Sequence, residues 1–248
     1  MHSPHKHNQA PETNLQKNYN MLRRSELSGM LIDAYDTAML LEPRLADIAI
    51  TALPPDGKHF ARAVPRWASP TGQHEMRIPL GAIDPTLHKF DKLLSQAFGA
   101  RHLYAKLLSV KPHEVTPQLL FVTAALHELG HVDEYLDYEG REQELAQRNA
   151  QERAAMPAGR LGVSQLLAMN GDERMQVEEE LRGHASHIGV SSFHNLVKKQ
   201  HEAYRNLPGE RNADRFAVDA FALNPVLLVA LTDPDLNRYR TPYAAAGN

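Results

Sequence analysis

The chain contains no cysteine. That absence excludes disulfides, thiolate zinc fingers, a cysteine nucleophile and a cysteine switch that would hold an enzyme latent. Long apolar runs are also missing. No stretch approaches the length of about 20 residues that a bilayer span needs, and the opening MHSPHKHNQAPETNLQKNYN has no apolar core of the kind a secretory leader carries. The expected compartment is therefore the cytoplasm, with leaderless export as the open alternative. An excess of either charge is lacking too. Lys and Arg number 27 against 30 Asp and Glu, a formal charge of -3, which gives no electrostatic case for a nucleic-acid partner or an anionic membrane. What the chain does have in quantity is histidine, 14 residues in 248. Histidine ligates metals and titrates near neutral pH, so its placement decides the functional reading.

The length suits one large domain or two small ones. Residues 1–20 read as a disordered polar tail, whose His2, His5 and His7 read as solvated tail residues, with loose metal binding as the open alternative. Residues 21–248 read as a single domain. Leu27, Leu31, Ala34, Ala38 and Leu41 recur at helical spacing, predicting one amphipathic helix over 22–41 that stops before Pro43. ADIAITAL (46–53), the turn PPDGK and HFARAV (59–64) read as a hairpin. EMRIPL (75–80) reads as a third short strand. Pro79 has no N–H for a ladder, so that strand is expected at an edge or to end there. After Asp84-Pro85 the pattern is helical almost throughout: 86–97, 101–109, 117–138, 141–155, 164–169, 173–187, 191–206, 209–222 and 225–231. Three strands followed by a helical mass predict an α+β fold.

The chemistry is concentrated in PQLLFVTAALHELGHVDEYLDY (117–138). At 3.6 residues per turn, His127 and His131 lie on one helix face and can close on one ion. Glu128 sits roughly 60° around from His131 by the same geometry. It can reach a water on that ion but is too far round to be an equal ligand, so it reads as the general base. Leu129 points the other way, toward a core with Leu119, Val122 and Leu126. Gly130, a poor helix former, predicts close approach of another chain segment or of substrate.

A catalytic zinc site needs a third protein ligand and an open position. Glu134, Asp137, Glu139, Glu178 to Glu180, His184, His187, His194, His201, Glu210 and Asp214 all qualify by residue type. Glu134 shares the histidines' helix and cannot easily curl back. The segment PGERNADRFA (208–217) is better placed: Pro208-Gly209 starts a helix, Glu210 falls in its first turn and Asp214 one turn on. Ala213, Phe216, Ala217, Ala220 and Phe221 supply its apolar stripe.

H-E-L-G-H followed downstream by E-R-N-A-D-R-F-A resembles the gluzincin metallopeptidases, with ImmA/IrrE-type and M48 peptidases the nearest patterns. The resemblance implies that His127, His131 and Glu210 bind Zn2+, that Glu128 is the catalytic base, and that Asp214 orients a ligand histidine. It implies a zincin-like fold and a zinc-dependent endopeptidase acting on a protein or peptide. In zincins the substrate lies extended along an edge strand beside the active helix. EMRIPL is the strand closest in sequence to that helix and is expected to be that edge. Tyr204, His184, His187, His201, Tyr239 and Arg240 are candidates to stabilise the oxyanion. The alternative functions are a non-catalytic zinc-binding regulatory or interaction module on the same frame, and a leaderless secreted effector protease.

Overall fold

The computed structural model describes residues 12–53, 61–80, 100–158, 165–166, 169–177, 179 and 193–233. These are mostly helical, with one small mixed sheet, as the α+β expectation requires. The first helix, α1 (Asn14–Leu22), occupies ground read as disordered tail. Thr13 and Gln16 close a capping box at its start, which satisfies two otherwise orphaned donors. The helix expected over 22–41 begins only at Ser28, as α2 (Ser28–Leu41). Asn18 of α1 is buried and satisfied. Its Nδ2 donates to Tyr35 Oη at 2.9 Å and to the Ile48 carbonyl at 2.9 Å, and its Oδ1 accepts from the Ile50 N–H at 2.8 Å. One side chain thus ties α1, α2 and the first strand together.

The sheet holds β1 (Ala49–Leu53), β2 (Arg62–Val64) and β3 (Glu75–Pro79) in the order β1-β3-β2. Two expectations are corrected here. β1 and β2 form no hairpin, because β3 lies between them, parallel to β1 and antiparallel to β2. EMRIPL is therefore the central strand, and the short β2 is the edge that meets the histidine helix. Pro79 is tolerated in a central strand because it comes last. β2 pairs only with Glu75 to Arg77, so Pro79 has no β2 residue opposite it. The PPDGK turn lies outside the described residues, as does the 86–97 helix.

Further on come α3 (Ala100–Leu108), α4 (Pro117–Asp137), α5 (Glu142–Ala154), α6 (Phe193–Arg205), α7 (Pro208–Leu223) and α8 (Pro225–Thr232). Residues 171–177 are also helical. α4 starts where Thr116 Oγ1 accepts from the Leu119 N–H and proline fills the first helical position. It is the central helix, packing on α2, α7, α8 and the sheet. Leu119, Val122, Leu126 and Leu129 are all within 1% of complete burial, as expected for the side turned from the histidines. The α7 stripe from Ala213 to Phe221 is buried as read. No single described helix is long and apolar enough to cross a membrane. α7 and α8 pass such a test only as a pair, bent by 97°.

Candidate metal centre

α4 and α7 run antiparallel and touch. A Cβ placed on Gly130 would lie 2.7 Å from Ala213 Cα and 2.8 Å from Phe216 Cβ. Only glycine fits there, so the close approach predicted at this residue is the α4–α7 crossing itself. The crossing brings three side chains to one point. His127 Nε2 lies 3.2 Å from Glu210 Oε2, and His131 Nε2 lies 3.3 Å from Glu210 Oε1. The donor atoms of His127, His131 and Glu210 all lie within 4.8 Å of one another. Tetrahedral geometry with bonds near 2.0–2.1 Å separates ligand atoms by about 3.3–3.4 Å, so the spacing suits a small divalent ion. Glu210 Oε2 is fully buried and has no hydrogen-bond partner. A buried carboxylate that turns one oxygen to each imidazole nitrogen, with Oε2 left without a hydrogen bond, fits a cation, and the set can hold one.

His127 is fixed from behind. Its Nδ1 is 2.9 Å from Asp214 Oδ1. A carboxylate only accepts, so Nδ1 carries a hydrogen, which leaves Nε2 as the ring nitrogen that an ion would take in exchange for its proton. Burial opposes charge on this ring, yet Asp214 and Glu210 outweigh it and push the pKa up to about 9. Glu210 is likewise desolvated, but the facing imidazoles of His127 and His131 hold it far below the ordinary carboxylate range.

Glu128 stands apart from this group, as its place on the helix requires. Its Oε2 accepts the Ala63 N–H of β2 at 2.6 Å, so the edge strand holds the carboxylate. Beside this group is a cleft of about 740 Å3, lined by Ala61, the β2 residues Arg62 and Ala63, Glu128, His131, Tyr204 and the end of α5. Tyr204 faces Glu210. Burial, then the charge of Glu210 and the hydrogen bond to it, lift its phenol well above 10, so it keeps its proton at neutral pH.

The remaining candidates separate cleanly. Glu134 is engaged by Arg148, with Nη2 at 2.6 Å, and rests against Gly209. Asp137 pairs with Arg44 at 2.7 Å, and Glu139 lies 3.6 Å from both Arg66 and His74. Glu179 is exposed. His201 is partly buried and does not line the cleft. Glu178, Glu180, His184, His187, Tyr239, Arg240 and the side chain of His194 lie outside the described residues.

One participant was not anticipated from sequence. Arg205, at the end of α6, is largely buried and donates through Nη2 to Asp214 Oδ1, while its Nη1 lies 3.6 Å from Glu210 Oε2. It neutralises the two α7 carboxylates from behind. Its only sequence signal is a cation just before the Pro208-Gly209 break, which is too common to single out. Compared with protein-family models, curated proteins and solved structures, the chain matches none.

Proposed function

We propose that the chain is a zinc-dependent endopeptidase of the gluzincin type, on a zincin-like arrangement of edge strand and HExxH helix. The observation that carries the reading is the convergence of His127, His131 and Glu210 from two helices, with Glu128 beside them at an open cleft. Two imidazoles and one carboxylate are the donor set of catalytic zinc, which keeps a coordination position open. Zinc, when bound, supplies Lewis acidity toward the scissile carbonyl and acidifies the attacking water.

The chain's own residues supply the rest. Glu128, oriented by the Ala63 N–H, takes the proton of the attacking water and hands it to the leaving amine. Tyr204, protonated at neutral pH, offers a donor where charge develops on the carbonyl oxygen. Asp214 holds the tautomer and direction of His127. The Ala63 N–H is turned outward from the sheet to Glu128, so an extended peptide along this edge of β2 would lie beside that carboxylate and pair with the main-chain groups that remain.

The test couples metal and turnover. His131→Ala should lose zinc by elemental analysis. Glu128→Gln should keep zinc and fold while cleavage of a broad peptide library falls by about 10²–10⁴-fold, the usual contribution of a positioned acid–base group. Full zinc occupancy in His131→Ala would overturn the ligand set. A zinc-loaded wild type that cleaves nothing would leave the regulatory zinc-module reading in its place.

A further inference from the structure

The cleft has an uneven charge balance. Among the described residues four carboxylates line it, and each has a polar partner within 4.0 Å. Glu210 faces the two histidines. Glu128 accepts from the Ala63 N–H. Arg148 lies between the other two, with Nη2 2.6 Å from Glu134 and Nε 3.6 Å from Glu152. Two cations on the cleft wall are not committed. Arg62 belongs to β2 and Arg153 to the last turn of α5, and both line the cleft with exposed side chains. Neither has a carboxylate within 4.0 Å among the described residues, although such pairs are common elsewhere in the same set.

Arg62 also sits at a position that local sheet energetics disfavours. It lies directly opposite Arg77 in the antiparallel β2–β3 pair. Like charges so placed repel. Arg77 is neutralised by Glu75, Nε to Oε2 at 2.8 Å, and Arg62 is left as the surplus charge on the strand that edges the cleft. Arg153 faces the cleft from α5, close enough to bear on the hydroxyls of Tyr135 and Tyr204.

We propose that Arg62 and Arg153 are specificity-determining residues, and that the substrate is an acidic peptide segment whose Asp or Glu side chains flank the reacting bond. This rests on the peptidase reading above and names its substrate class. An extended chain added to the free edge of β2 places a side chain beside that of Arg62. The planar guanidinium then meets a carboxylate with two parallel hydrogen bonds, a match that neither a neutral nor a basic side chain makes. A cleft with low-dielectric walls strengthens the effect by focusing the field.

The experiment uses the full chain, zinc-loaded and carrying Glu128→Gln, so that binding is read without turnover. Three pools of fluorescein-labelled randomised decapeptides serve as probes: enriched in Asp and Glu, enriched in Lys and Arg, and uncharged. Fluorescence anisotropy should rank the acidic pool first, about tenfold tighter than the uncharged pool, and the basic pool last. Adding Arg62→Gln or Arg153→Gln should each cut the acidic preference by about three- to fivefold with zinc content intact, and 0.5 M NaCl should flatten it. The Arg62→Glu, Arg153→Glu pair should reverse the order toward the basic pool. Equal binding of all pools, preference for the basic or uncharged pool, no binding of any pool, or an acidic preference that survives both substitutions would each overturn the assignment. Cleavage by the wild type is scored separately. Turnover without acidic preference removes this inference and leaves the peptidase. Arginine-dependent binding without any turnover removes the peptidase and leaves the acidic ligand.

Discussion

Gly130 shows how one missing side chain sets the site. An alanine there gains helix propensity, up to about 1 kcal/mol. It also drives a Cβ to 2.7 Å from backbone on α7, and backbone cannot swing aside as a side-chain tip can. Overpacking of this kind costs about 1–3 kcal/mol, so the clash wins. Gly130→Ala should lower the thermal midpoint and weaken zinc binding together, because it separates His131 from Glu210. A variant with unchanged zinc affinity would show that the two helices are not held at contact distance. Arg205 makes the complementary case. It touches Asp214 and approaches Glu210. Arg205→Met removes the cation that steadies both carboxylates. Zinc affinity should fall by about 10–100-fold, as for other changes behind a ligand. Competition with a chelator of known affinity measures this, and wild-type affinity in the variant would deny Arg205 any positioning role.

At the scale of elements, what could be read in the sequence divides along local and non-local lines. α4 and α7 were legible because each carries its own apolar stripe, a proline in its first turn and its site residues within one segment. His127, Glu128, His131, Glu210 and Asp214 came with them. The strand order was not legible, because pairing β1 with β3 and leaving β2 at the edge depends on surfaces far apart in sequence. Proline at the end of β3 was a real signal read too broadly, since it marks where the strand stops rather than which side is free. α1 was missed because its composition is polar. The Thr13-x-x-Gln16 capping pattern was the clue available, and the burial of Asn18 shows only in the structure. Asn18 leads to a stability prediction. Asn18→Ala leaves the Ile50 N–H and Ile48 carbonyl without their partner, and each unsatisfied buried group costs about 1–3 kcal/mol. Urea unfolding should show a loss of about 2–6 kcal/mol. A loss below about 0.5 kcal/mol would mean that α1 is only loosely docked on the sheet.

For the whole molecule, pH acts through a cluster that does not line the cleft. Glu42, Asp133 and Asp137 surround the single cation Arg44. Arg44 lies 2.8 Å from Glu42 and 2.7 Å from Asp137, but 3.8 Å from Asp133. The carboxylate left over pays for the crowding. Desolvation, then the charges of Asp137 and Glu42, push Asp133 up to about 6. Glu42 moves the other way, lowered chiefly by its hydrogen bond from Arg44. The folded pKa of Asp133 lies above the unfolded value of about 3.9. Between those two values the folded chain holds more of this proton than the unfolded chain does. The contribution of Asp133 to stability therefore falls as pH rises from about 4 to about 6 and is level above that. Asp133→Asn removes the penalty. The side chain is one-third exposed, so solvent and salt screen the effect to about 1–2 kcal/mol. The variant should unfold at higher urea than wild type at pH 7.5, and the difference should shrink toward zero at pH 4. Measuring the difference between the two proteins cancels the titrating groups that do not act on Asp133, and reads Asp133 together with its coupled neighbours Glu42 and Asp137. A gain equal at both pH values would point to a packing effect of the amide, and no gain at pH 7.5 would show that Arg44 neutralises all three carboxylates.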